Sequence, residues 1–144
     1  MSRISENFTM EEFSVSASYP HLAKGVPVNI RPAVKALVLN LLQPICDRTG
    51  CSDTILSGYR SIELNRAVKG ASGSQHMKGE ASDNVFKMNG KAVPIIAVLK
   101  LVKESGLDFD QMIAYPTFVH LSYTAKRPNR RMILYDSSYM GKRL

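Results

Sequence analysis

The chain has 144 residues, 44% of them hydrophobic, with 19 lysines and arginines against 12 acids and a formal net charge of +7. That length gives a core to one domain spanning residues 1–144 and is short for two, and the absence of any run of about 18 apolar residues excludes an ordinary membrane-spanning helix. The first ten residues lack the charged-then-apolar run of a secretory leader, so a soluble, cytoplasmic chain is expected, meeting a cell wall only on release. The excess of cations and a pI near 9.6 predict attraction to a polyanion. Nucleic acid, a membrane surface and an anionic cell-wall polymer all qualify, and charge does not choose among them.

Thr9 followed by Glu12 forms a capping-box pattern, which predicts a short helix from Met10 that ends before Tyr19-Pro20. From Pro32 to Arg48, Val34, Leu37, Val38, Leu41, Leu42 and Ile45 recur at helical spacing, with Gly50 as the stop. Pro44 must bend this helix or mark its last turn, since it has no amide proton for the ladder. Cys46 and Cys51 fit neither a zinc-ribbon pair nor a disulfide framework and read as small buried thiols.

A short strand is expected over Thr54-Ile55-Leu56, and Ser61 is placed to cap a helix running to Val68. The Gly- and Ser-rich stretch from Gly70 to Gly79 reads as a loop leading into a strand at Ala81 to Phe86. Pro94 to Ser105 is a third helix, with Ile95, Val98, Leu99 and Val102 on one face and Gly106 beyond its end. Strands follow at Gln111–Tyr115, Phe118–Thr124 and Arg131–Tyr135, the last two joined by the basic link from Ala125 to Arg130. Helices early and strands late predict an α+β domain with helices packed on a small antiparallel sheet.

Chemistry concentrates around two of the three histidines. His76 precedes Asp83 by seven residues, and His120 lies in the alternating run Phe118-Val119-His120-Leu121-Ser122. Two imidazoles and a carboxylate are what a catalytic zinc ion takes, at about 2.0–2.2 Å, with a fourth position left open. Spacing by itself does not establish such a site; a loop histidine, a solvated aspartate and a sheet histidine would look the same.

The motif Ser74-x-His76-x-x-Gly79-x-Ala81-x-Asp83, followed by Val119-His120-Leu121-Ser122, resembles the zinc signature of M15 peptidases, the D-alanyl-D-alanine carboxypeptidase type, which the hedgehog signalling domain shares. Phe8-Thr9 with Glu11-Glu12-Phe13, Ser57-Gly58-Tyr59-Arg60-Ser61 with Leu64-Asn65-Arg66-Ala67-Val68, and Phe109-Asp110-Gln111-Met112-Ile113 resemble further segments of that family. The resemblance implies a hedgehog/DD-peptidase-like fold in which His76, Asp83 and His120 bind Zn²⁺ for attack on a peptide carbonyl. It places Arg60 where such enzymes hold a substrate carboxylate or polar group, a task suited to its planar fork. Ser74 and Gln75 are added as substrate-binding candidates beside the metal loop, and Gly79 and Ala81 as packing positions.

Two positions depart from the family pattern. Relatives carry Glu or Asp as general base shortly before the last zinc histidine, and this chain has Tyr115 there. Asp110 is the nearest acid and, with Tyr115, is the catalytic candidate; a phenol of ordinary pKa near 10 suits an oxyanion donor better than a base. Asn84 stands where relatives tend to be apolar. The leading expectation is therefore a zinc peptidase of bacterial cell-wall peptidoglycan, either a carboxypeptidase or an endolysin-type endopeptidase, slowed by the missing acid. The alternative is a zinc-containing module that binds wall peptides without cutting them. A nucleic-acid surface on Lys126, Arg127, Arg130, Arg131, Lys142 and Arg143 is disfavoured, because no aromatic stacking platform accompanies those charges.

Overall fold

A computed structural model describes residues 2–144. The capping box at Thr9 forms, with the Thr9 amide donating to Glu12 Oε1 at 3.0 Å. The helix it opens is a single 3-10 turn, Met10–Phe13, and does not continue toward Tyr19. Ser16 instead pairs with Ser57 at the end of the first strand, which pulls the chain into extended conformation. Phe8 and Phe13, both fully buried, anchor this N-terminal segment in the core.

The long apolar-periodic stretch folds as α1 (Arg31–Leu37), a π-helical turn (Val38–Leu42) and α2 (Gln43–Thr49). Pro44 explains the interruption: it offers no amide and its ring crowds the preceding turn. The helix responds by widening, with the Gln43 amide reaching back five residues to the Val38 carbonyl. The apolar face survives intact, and Val34, Leu37, Val38, Leu41, Leu42 and Ile45 are all buried. Both cysteines are free and buried, as their spacing suggested.

The remaining helices are α3 (Ile62–Ala67), capped by the Ser61 side chain, and α4 (Ile95–Ser105). Strands β1 (Ser52–Ser57), β2 (Ala81–Met88), β3 (Lys91–Ala92), β4 (Gln111–Ala114), β5 (Val119–Ser122) and β6 (Met132–Tyr135) form one sheet in the order β1-β2-β5-β4-β6, with β3 hairpinned onto β2. The result is an α+β fold. No helix of the described residues is long and apolar enough to cross a membrane.

One pairing departs from the expected antiparallel sheet: β6 runs parallel to β4. Strand β5 already has β2 on one side and β4 on the other. After leaving β5, the chain can join the sheet on this side only at the outer edge of β4, and there it runs in the same direction as β4. Residues 123–131 make that crossing.

Sheet faces divide by alternation. On β4 and β5, Met112, Ala114, Val119 and Leu121 point into the core with Val98, Leu99 and Val102 of α4. Gln111, Ile113 and His120 occupy the opposite parity and are half-buried. Asp83 of β2 lies directly across from His120 in the strand register.

Candidate metal centre

His76 comes from a 3-10 turn, Gln75–Lys78, inside the stretch that reads as loop from its composition. Ser74 caps the turn, its hydroxyl accepting from the His76 amide at 3.2 Å. Gly79 ends the turn at φ +72°, where a side chain would also meet Ile30 at 2.5 Å. A buried ring is thereby presented to the two strands that carry Asp83 and His120.

The three side chains converge. One donor atom from each of His76, Asp83 and His120 can be chosen so that all lie within 4.8 Å of one another. Asp83 Oδ1 is 3.3 Å from His76 Nε2 and 3.1 Å from His120 Nδ1. Tetrahedral zinc bonds of about 2.0–2.2 Å separate neighbouring donors by about 3.3–3.6 Å, so these gaps are close to the size of a metal site.

The tautomer of His76 sharpens the fit. Its Nδ1 lies 2.8 Å from the Gly58 carbonyl, which can only accept, so Nδ1 carries the proton. Burial pushes the imidazole pKa down, against the pull of Asp83, and favours the neutral ring. Nε2 then turns a lone pair toward a carboxylate oxygen with no proton between them. The three donors could hold a divalent cation, and a carbonyl contact such as that of Gly58 is of the kind that orients a histidine toward one.

The three side chains floor a cleft of about 580 Å³. Arg60, Ser74, Gln75 and Tyr115 line it, so the structure brings the proposed substrate-binding residues and one of the two catalytic candidates to the same place. Arg60 Nη2 lies 3.6 Å from Asp83 Oδ2. Tyr115 stacks on Phe118 with ring centroids 4.5 Å apart. Burial first, then the charges of Asp83 and Asp136, push its phenol above the ordinary tyrosine range. At neutral pH Tyr115 is a proton donor and not a base.

Asp110 does not belong to this group. It is fully buried and outside the cleft lining, with Oδ1 2.8 Å from Arg127 Nη1 and Oδ2 2.7 Å from Arg130 Nη2. The Arg130 amide donates to it as well, at 2.9 Å. The expectation of a chemical role therefore gives way to a structural one: Asp110 staples the crossing that carries the chain from β5 to β6.

Burial on its own would raise the Asp110 carboxyl, but the hydrogen bonds from Arg127 and Arg130 outweigh it and hold the pKa well below normal. A depressed folded-state pKa means stability that is fully present above the unfolded value near 3.9 and is lost as pH falls toward the folded value. Asp110→Asn is expected to cost about 1–3 kcal/mol at neutral pH. The gap in melting temperature between wild type and variant should narrow as pH drops from 5 to about 2. A gap that stays constant across that range would show that the carboxylate charge is not what the arginines bind.

Other residues of the cleft were missed. Gln111 and Ile113 line the cleft from the same β4 face as Tyr115, and strand alternation alone could have found them. Lys69 and Arg130 supply cations to its rim, whereas Asp83 is the one acid in the lining. Glu80 is buried beside the turn that carries His76 and accepts from Thr124 Oγ1 at 2.7 Å and Gln75 Nε2 at 3.3 Å, so it braces Gln75. Asn84 donates to the carbonyls of Ser82 and Val119 and accepts from Ser82 Oγ. A fully satisfied amide thus ties β2 to β5 next to Asp83, which accounts for a polar residue there.

The sequence model of the family described as Peptidase M15 matches residues 6–122. No curated protein matches the chain.

Proposed function

Because this chain belongs to the M15 peptidase family, we propose that it is a zinc-dependent peptidase acting on the peptides of bacterial cell-wall peptidoglycan, as a carboxypeptidase or an endolysin-type endopeptidase. The observation that carries the metal reading is the convergence of His76, Asp83 and His120 at the floor of the cleft. Zinc, when bound there, would polarise the scissile carbonyl and acidify an attacking water.

The chain's own residues would supply the rest. Gly58 fixes the His76 ring so that Nε2 faces the metal position. The phenol of Tyr115 would donate to the oxygen that gains charge during attack. Arg60, with Lys69 and Arg130 nearby, makes the cleft a site for a peptide that carries a carboxylate, as wall peptides do. The net charge of +7 favours adsorption to anionic wall polymers.

The position held by Tyr115 also supports a second reading, a zinc-containing module that binds wall peptides without turnover. One experiment separates the two: elemental analysis of the purified protein, followed on the same sample by digestion of purified peptidoglycan of several chemotypes. About one zinc per chain with released peptides supports the peptidase. Zinc with binding but no release supports the module, and a protein that holds no metal sinks both.

A further inference from the structure

Arg60 is held by one contact at each of its three nitrogens. Nε donates to Ser57 Oγ at 3.4 Å, Nη1 to Asn65 Oδ1 at 3.4 Å, and Nη2 lies 3.6 Å from Asp83 Oδ2. Each contact is long and weak by itself, so the aim of the guanidinium depends on all of them together.

Asn65 is polar yet only 4% exposed, and its side-chain hydrogen bonds go to Arg60 and Ala71 and not to His76, Asp83 or His120. Its Nδ2 donates to the Ala71 carbonyl at 3.0 Å. A carbonyl cannot donate, so the amide has one permitted orientation, which turns Oδ1 toward Arg60. The backbone carbonyl of Asn65 accepts the Gly70 amide at 2.8 Å, which holds the loop against the residue. A Cβ on Gly70 would fall 2.1 Å from Asn65 Oδ1 and 3.1 Å from Arg60 Nη1, so the loop backbone is pressed against the pair.

We propose that Asn65 is a positioning residue: locked by Ala71 and Gly70, it aims Arg60 at the outer oxygen of Asp83 and so keeps the inner oxygen between the two imidazoles. The inference rests on the reading of His76, Asp83 and His120 as a zinc site. Its consequence is that zinc affinity depends on an amide that makes no hydrogen bond to any of the three ligands.

Zinc affinity of the full chain, measured by competition with a chelator of known affinity, tests this in four variants. Asn65→Ala is expected to weaken zinc binding by about tenfold, the lower end of what outer partners of a metal site are worth. Arg60→Ala should weaken it at least as much, and the double variant should be no worse than Arg60→Ala alone. Gly70→Ala leaves Asn65 in the sequence but displaces its Oδ1, and should reproduce the Asn65→Ala loss even if Asn65→Ala itself folds poorly.

Wild-type affinity in both Asn65→Ala and Gly70→Ala would overturn the proposal. So would losses for Asn65→Ala and Arg60→Ala that multiply in the double variant, since Asn65 would then act by another route. A wild-type chain that binds no zinc is a different failure, because it removes the metal reading and this inference with it.

Discussion

Asp83→Ala is expected to abolish zinc binding and to reduce peptidase turnover to background. Asp83 Oδ1 is the atom shared by both histidines, at 3.1 and 3.3 Å, and Oδ2 faces Arg60 at 3.6 Å. Without the carboxylate, two imidazoles and a guanidinium cation face the cleft, and nothing offsets the charge of an incoming metal. The loss should exceed the about 10–100-fold that outer partners contribute.

Thermal melting gives this a readout independent of substrate. Zinc at about 100 times its Kd would stabilise the wild type by about 2.7 kcal/mol, a rise of roughly 10 °C in Tm. Asp83→Ala should show no such rise, and His76→Ala and His120→Ala should behave alike. A zinc-dependent rise retained in Asp83→Ala would remove Asp83 from the ligand set.

Tyr115→Glu is expected to raise kcat on soluble wall peptides by about 10²–10⁴, the usual contribution of a positioned general base. A carboxylate there would restore the acid that M15 relatives carry shortly before the last histidine. Tyr115→Phe is expected to lower kcat by about 10², since it keeps the stack on Phe118 but loses the hydroxyl donor. The pH dependence should also change sign of character. With Glu, the rate gains an acidic limb as the carboxylate protonates, whereas the native phenol, already shifted upward, stays protonated through neutral pH. Equal rates for all three proteins would take position 115 out of the chemistry.

The parts of this molecule that were legible in its sequence are those fixed by neighbours a few residues away. The periodic leucines and valines between Val34 and Ile45 declare a helix because each turn repeats the demand for burial. The π-helical turn before Pro44 was not legible, because a proline announces only that one hydrogen bond is missing and leaves the form of the repair to local packing. The 3-10 turn that presents His76 lay concealed in a Gly- and Ser-rich stretch whose composition suits a turn as well as a loop.

The choices that depend on distant partners were the least visible. Residues 132–135 read correctly as a strand, but the edge that β6 joins follows from β5 being flanked already, a fact of the whole sheet. Asp110 looked chemical because it stands in a motif close to the last histidine. Its true partners, Arg127 and Arg130, come 17 and 20 residues later. Of the proposed site, His76, Asp83, His120 and Arg60 were legible through the motif resemblance and not through spacing, which left other readings open.

The direct pairing of Asp83 with His120 across β2 and β5 has one more consequence. Side chains in a strand alternate, so a slip of one residue between these strands would send His120 to the core side while Asp83 stayed in the cleft. Only one alignment of the two strands can then grip an ion, and misaligned chains gain nothing from it. A metal held here would act as a proofreader of strand alignment during folding, rewarding the native register alone and drawing slipped chains back to it by mass action.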